Sequence, residues 1–167
     1  DLHNACFGKD NEVLLGKIRQ CQPDVIFVTG DMIVGKPGQD VLFAADTMNA
    51  LCQIAPVYFS MGNHELRASI YTDTYGDMWT QFYNRLRPDI HVLSDQTEII
   101  RKNEEGVYVH GLNLTPEFYR RMVQTPMEAD YLEGIFGVCD TEQYHIFLAH
   151  NPDYFKEYAA WGADLTF

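Results

Sequence analysis

The feature that most constrains this chain is where its acid, amide and imidazole residues stand relative to its apolar runs. Residues 25–29 form a β-branched and aromatic run that ends in Gly30-Asp31. Residues 56–61 form a second, followed by Gly62-Asn63-His64-Glu65, and residues 144–149 a third, followed by His150. Short continuous apolar runs of this kind are strands covered on both faces. In α/β sheets the side chains just past the C-terminal strand ends leave the core and face a crevice, where ligands bind. Three distant stretches would thus bring Asp31, Asn63 with His64, and His150 to one rim. Asp1 and His3 would join them if a strand precedes Asp1.

Between these runs the apolar spacing turns helical. Residues 11–20 read as a helix with Leu14, Ile18 and Cys21 on one face, ended by Pro23-Asp24. Residues 39–53 give the clearest helical period, through Val41, Ala44, Ala45, Met48, Leu51 and Cys52. Residues 35–38 are expected to turn, 67–77 to form an irregular loop, and 77–87 a short helix stopped by Pro88. A short strand is expected at 91–93, then strands at 97–101 and 107–111 flanking a hairpin turn at 103–106. Residues 115–126 read as a mobile cover, 127–138 and 152–161 as helices, and 164–167 as the start of another strand. Without repeats, low-complexity tracts or a linker, the alternation describes a single α/β domain over residues 1–167.

The charge balance narrows the partners. With 24 acidic and 12 basic residues the net charge is −12, which repels a phosphate backbone and argues against nucleic-acid polymers. Most carboxylates read as solvated surface; a few are candidate metal ligands. Cys6, Cys21, Cys52 and Cys139 form no C-x-x-C pair, so neither a disulfide framework nor a thiolate zinc site is expected. Reduced thiols fit a cytoplasmic setting, three of them packed as small apolar residues and Cys6 near His3. No apolar run approaches the ~20 residues of a membrane helix. The chain opens at Asp1 and stops at Phe167, and the expectation is that segments are missing at both ends, through which membrane association stays open.

Singly, each candidate is weak, since a lone histidine is more often structural than ligating. His91, His110 and His145 read as structural, and Met48, Met61, Tyr58 and Phe59 as core. Together and in order, Asp1-x-His3, Gly30-Asp31, Gly62-Asn63-His64-Glu65 and His150 are specific. They resemble the D-x-H, G-D-x-x-D, G-N-H-[DE] and lone-H motifs of the calcineurin-like metallophosphoesterases. The arrangement is most similar to the small bacterial phosphohydrolases and phosphodiesterases of that family.

The resemblance implies a four-layer α/β/β/α sandwich of two mixed sheets flanked by helices. It implies that Asp1 and His3 bind a first metal, Asp31 bridges two metals, and Asn63 and His150 bind the second. His64 would face the substrate, stabilising the transition state and protonating the leaving oxygen. The implied activity is hydrolysis of a phosphomonoester or phosphodiester by a metal-bridging hydroxide. The substrate would be a small phosphate ester or a lipid-linked nucleotide. Oxygen and imidazole ligands suit two divalent ions, Mn, Fe, Zn or Co. Two such ions about 3.5–4 Å apart lower the pKa of a shared water toward about 7.

Two departures stand out. Val34 occupies the second Asp position of G-D-x-x-D, a position that the resemblance does not assign as a direct ligand. No Gly-His-x-His follows the lone histidine; residues 164–167 look like the strand that precedes it, so each metal would lack one histidine. Arg67 is a candidate phosphate contact, and Tyr71, Tyr75 and Trp79 a candidate aromatic wall. A protein-docking module without catalysis on the same scaffold is the alternative, and retention of His64 favours the enzyme. A metal-free nucleotide-binding fold lacks support, because neither G-x-G-x-x-G nor G-x-x-x-x-G-K-[ST] occurs.

Overall fold

The apolar runs form parallel strands, and parallel pairing is what aligns their C-terminal ends along one rim. A computed structural model describes every residue except Glu104 and Arg121. Strands β1 (Ile26–Val28), β2 (Val57–Ser60) and β3 (His91–Leu93) pair in that order, all parallel. Parallel neighbours need a crossover, and helix α2 (Leu42–Cys52) makes the one from β1 to β2. The second sheet is the mixed one. Strands β4 (Gln96–Lys102) and β5 (Glu105–Leu112) form the expected antiparallel hairpin, whose Glu104 lies outside the described residues. Strands β6 (Tyr144–Ala149) and β7 (Leu165–Thr166) then add in parallel.

Three separate apolar clusters make four layers. In β2, Val57 and Phe59 face α2, α1 (Glu12–Gln20) and α5 (Met78–Arg85), while Tyr58 faces the other sheet. In β6, Phe147 and Ala149 pack toward α6 (Tyr131–Phe136) and α7 (Phe155–Trp161), while Ile146 and Leu148 face inward. This is the two-residue alternation of a strand covered on both sides. Tyr58, Leu93, Val109, Ile146 and Leu148 form the core between the sheets. Gly111 is required there, because a β-carbon on it would overlap Leu93. The fold is the α/β/β/α sandwich that the resemblance implies, except that one of the two sheets expected to be mixed is all parallel among the described residues.

Local departures have physical causes. Strand β1 is half-buried instead of covered on both faces, since it ends the strand order of its sheet among the described residues. In α1 the buried residue is Leu15, and Cys21 is exposed. Asn11, buried before the helix, accepts from Phe7 N–H (2.7 Å) and donates to Thr47 Oγ1 (3.0 Å), which sets that face. Residues 67–77 are no irregular loop: α3 (Asn63–Ile70) buries Leu66 and Ala68, and α4 (Thr72–Tyr75) follows up to Gly76. The helix expected at 127–138 shrinks to α6, ended by Gly137 in the left-handed region at φ 79°. Residues 116–119 form a 3-10 turn with Phe118 buried; Arg121 of the expected cover lies outside the described residues. All four cysteines are free, with Cys6 also exposed and only Cys52 and Cys139 partly buried. Among the described residues no helix is long and apolar enough to cross a membrane.

Candidate metal centre

The rim is built first from main chain. After β1 the chain turns sharply through Gly30 (φ 95°) and Asp31 (φ 51°), both left-handed. A β-carbon on Gly30 would overlap the backbone of Gly62, and one on Gly62 would overlap the Asp31 carboxylate. Both positions therefore demand glycine. The N-terminal segment is tied to the same loop. Leu2 and His3 donate their N–H groups to the Asp31 carbonyl (2.8 and 2.9 Å), and Asn4 donates to Met32 (3.0 Å).

Helix α3 begins at this point, and its buried Glu65 is the internal strut. Glu65 Oε2 accepts from Asp31 N–H (2.8 Å) and Gly62 N–H (3.0 Å), and Oε1 accepts from Ile33 N–H (3.0 Å). The bond to Gly62 is the half of a capping box that an N3 glutamate supplies. Burial pushes the Glu65 carboxyl up, opposed by these amides.

Asp31 occupies the centre. Its Oδ1 accepts from His64 N–H (2.9 Å); its Oδ2 lies 3.3 Å from His150 Nε2 and 3.7 Å from the Nε2 atoms of His3 and His64. Burial alone would raise its pKa, but hydrogen bonds and charge from His150 and His64 hold it below the ordinary carboxylate value. Asp1 is exposed at the edge, 3.8 Å from His3 Nε2 and 3.8 Å from His150 Nδ1.

His150 carries the most informative contact. Its Nδ1 meets the Thr29 carbonyl at 2.8 Å, and a carbonyl only accepts, so Nδ1 bears the proton. Nε2 then presents a lone pair to two more acceptors, Asp31 Oδ2 at 3.3 Å and Asn63 Oδ1 at 3.2 Å. Three acceptors converging on one point suit a cation between them, either a metal or an added proton on Nε2. Burial lowers the His150 pKa, and the Asp31 carboxylate more than reverses this. Turning the Asn63 amide gives the metal-free alternative, with Nδ2 donating to His150 Nε2 (3.2 Å) and Oδ1 accepting from Arg67 Nη2 (2.6 Å).

The structure thus gathers all five expected ligands, with His64 and Arg67 beside them. His3, Asp31 and His64 offer ligand atoms within 4.8 Å of one another, and so do Asp1, Asp31 and His150. Asp31 belongs to both groups, as a bridging carboxylate requires. A cavity of about 500 Å³ opens over Asp31, His64 and Arg67, walled by Lys36 and Tyr119. A concavity of about 490 Å³ between α6 and α7 is lined by Leu132, Trp161 and three glutamates. It includes no cluster of metal-ligating side chains among the described residues. Of the expected aromatic wall, Tyr75 and Trp79 pack on the core, and only Tyr71 lies beside Arg67. Glu65, Gly35, Lys36 and Tyr119 carried no site assignment in the sequence. Glu65 alone had a signal, a glutamate three residues past a helix-capping glycine.

The family model for calcineurin-like phosphoesterases matches residues 1–166. The chain belongs to that family. No curated protein matches this phosphoesterase domain. Among solved structures it is similar in fold to the NAD nucleotidase of Haemophilus influenzae, with a TM-score of 0.57 and 18% identity. That match covers 87% of the phosphoesterase chain and 32% of the nucleotidase, so the chain spans about a third of that protein's length.

Proposed function

We propose that the domain holds two divalent cations, of Mn, Fe, Zn or Co, and hydrolyses a small phosphate ester, monoester or diester. The convergence of His150 Nε2, Asp31 Oδ2 and Asn63 Oδ1 carries this reading. Asp1 and His3 would hold one cation, Asn63 and His150 the other, and Asp31 both. When bound, the cations neutralise phosphoryl charge and activate a water. Arg67 and Lys36 orient the phosphate from the cavity wall, and His64 directs Nε2 at the ester from beside Asp31. Tyr119 shields one side. The nucleotidase likeness supports a nucleotide as the substrate class, a lipid-linked one included. Reduced thiols fit a cytoplasmic location, and a lipid-linked substrate would bring the domain to a membrane surface.

The test is manganese titration by calorimetry together with hydrolysis of bis(p-nitrophenyl) phosphate. Two bound equivalents and metal-dependent turnover are expected, and Asp31→Asn should weaken binding at both sites. Unchanged manganese affinity in Asp31→Asn would contradict the bridging role. Metal binding without turnover on any phosphate ester would favour the docking alternative.

A further inference from the structure

Three openings meet at Asn63 and Tyr119, and they differ in chemistry. The cavity over Asp31 carries the cations Arg67 and Lys36, and a second opening of about 210 Å³ beside His150 is lined by both Arg120 and Asp153. The third is a cleft of about 190 Å³ between helix α3 and the 116–119 turn. Tyr71 and Tyr119 wall it together with Leu66 and Pro116, and it joins the cavity over Asp31 through Asn63, Arg67 and Tyr119. Among the described residues no acidic side chain lines it, in a chain that has 24. Main chain fixes both walls. Tyr71 N–H donates to the Arg67 carbonyl (2.9 Å), and its own carbonyl accepts from Thr74 and Tyr75 N–H (2.9 and 3.0 Å). Opposite, buried Phe118 donates its N–H to the Thr115 carbonyl (3.1 Å), and its carbonyl accepts from Asn151 Nδ2 (2.8 Å). Tyr71 is 46% exposed, so its ring is open to a ligand.

We propose that this cleft receives the organic group of the phosphate ester and selects a single planar ring, aromatic or heteroaromatic, carried on a short arm. The proposal rests on the phosphoesterase reading for where the phosphate sits. Size sets the number of rings, since roughly 150 Å³ of apolar space is enough for benzene. Chemistry sets their kind. A ring entering between two tyrosines meets aromatic surface on both sides and the guanidinium of Arg67 at its inner end, all of which favour a π-system. A saturated chain would bury apolar area there but lose its rotamer freedom, and a rigid ring has little of that to lose. The cleft offers no carboxylate to a cationic group. Tyr71 is then a specificity-determining residue, touching the organic group and not the reacting phosphorus.

Phosphonates test this without turnover, because their P–C bond is not an ester. Calorimetry would compare methyl-, benzyl- and octylphosphonate on the protein, with manganese and without it. Benzylphosphonate should bind about tenfold more tightly than methylphosphonate, and octylphosphonate should bind less tightly than the benzyl compound. Tyr71→Ala should erase most of that ratio, and Tyr71→Phe should keep it, since the ring and not the hydroxyl makes the contact. Tyr71 is exposed, so its truncation empties no core space and the fold should survive. Equal affinity for the methyl and benzyl compounds, or no binding of either, would overturn the proposal. So would octylphosphonate binding tightest, the mark of an acyl-chain groove. A benzyl preference unmoved in Tyr71→Ala would put the ring elsewhere and overturn it equally. A Tyr71-dependent benzyl preference without manganese uptake or ester hydrolysis would count against the proposed function and leave the cleft assignment standing.

Discussion

Replacing Glu65 with Gln keeps the shape of the side chain but turns one of its acceptor oxygens into a donor. The less costly orientation leaves the oxygen on Asp31 and Gly62 N–H and sets the new NH₂ against Ile33 N–H, where Oε1 now accepts at 3.0 Å. One hydrogen bond to a charged acceptor is lost, about 1.5–3 kcal/mol, and the other two weaken to neutral strength. Relief of the desolvation that raises the Glu65 pKa offsets part of this, so a net loss of about 2 kcal/mol is expected. Glu65→Ala strands three buried amides and should cost about 3–5 kcal/mol, as when one partner of a buried charged network is removed. Urea unfolding at neutral pH reads both as a lower midpoint at unchanged m. Because the Asp31 amide is one of the three, manganese affinity should also fall, by about 10-fold in the Gln variant. A Gln variant within about 0.5 kcal/mol of wild type, with unaltered manganese affinity, would refute the strut.

Other consequences are open to direct measurement. His64→Ala should retain its manganese content and lose about 10²–10³-fold in turnover; loss of metal would make His64 a ligand. Arg67→Met should raise KM about tenfold with little change in kcat, and equal losses in kcat and kcat/KM would place Arg67 in the transition state instead. His110, buried beside His145, is held at a pKa of about 4 by burial and by the His145 charge, against an ordinary 6.5. The unfolded chain therefore takes up that proton more readily, so stability present above pH 6.5 is lost as pH falls toward about 4. The urea midpoint should decline across that window, and less steeply in His110→Gln; parallel curves would assign the decline elsewhere.

The strands, and the gathering of the candidate ligands at one rim, were legible because both are written in side chains. Continuous apolar runs end where β1, β2 and β6 end, and Asp31, Asn63 and His150 follow at once. What supports those ligands is mostly main chain. Gly35 acts through its amide, Thr29 through its carbonyl, and Glu65 through three amides of other residues. The main-chain partners leave no residue-type pattern in the sequence; Glu65 alone does, as the acid that closes Gly62-Asn63-His64-Glu65. Helix α3 was hidden for a related reason. Its buried positions include Glu65 as well as Leu66 and Ala68, so its face does not read as apolar. Tyr119 sits on a 3-10 turn too short to show a period. In α1 the register is set by the Asn11 contact with Thr47, across 36 residues of sequence.

The direct stacking of Gly30 on Gly62 has an implication for anyone redesigning this rim. Where two loops touch through bare peptide units, the spacing between the acid and the amide is dictated by bond lengths and angles, with no rotamer in between to adjust it. Attempts to retune cation preference by reshaping these loops would meet a nearly incompressible joint. The adjustable wall lies opposite, where exposed Asp1 and half-buried His3 belong to a segment tied down by two hydrogen bonds, from Leu2 and His3 N–H to a single carbonyl.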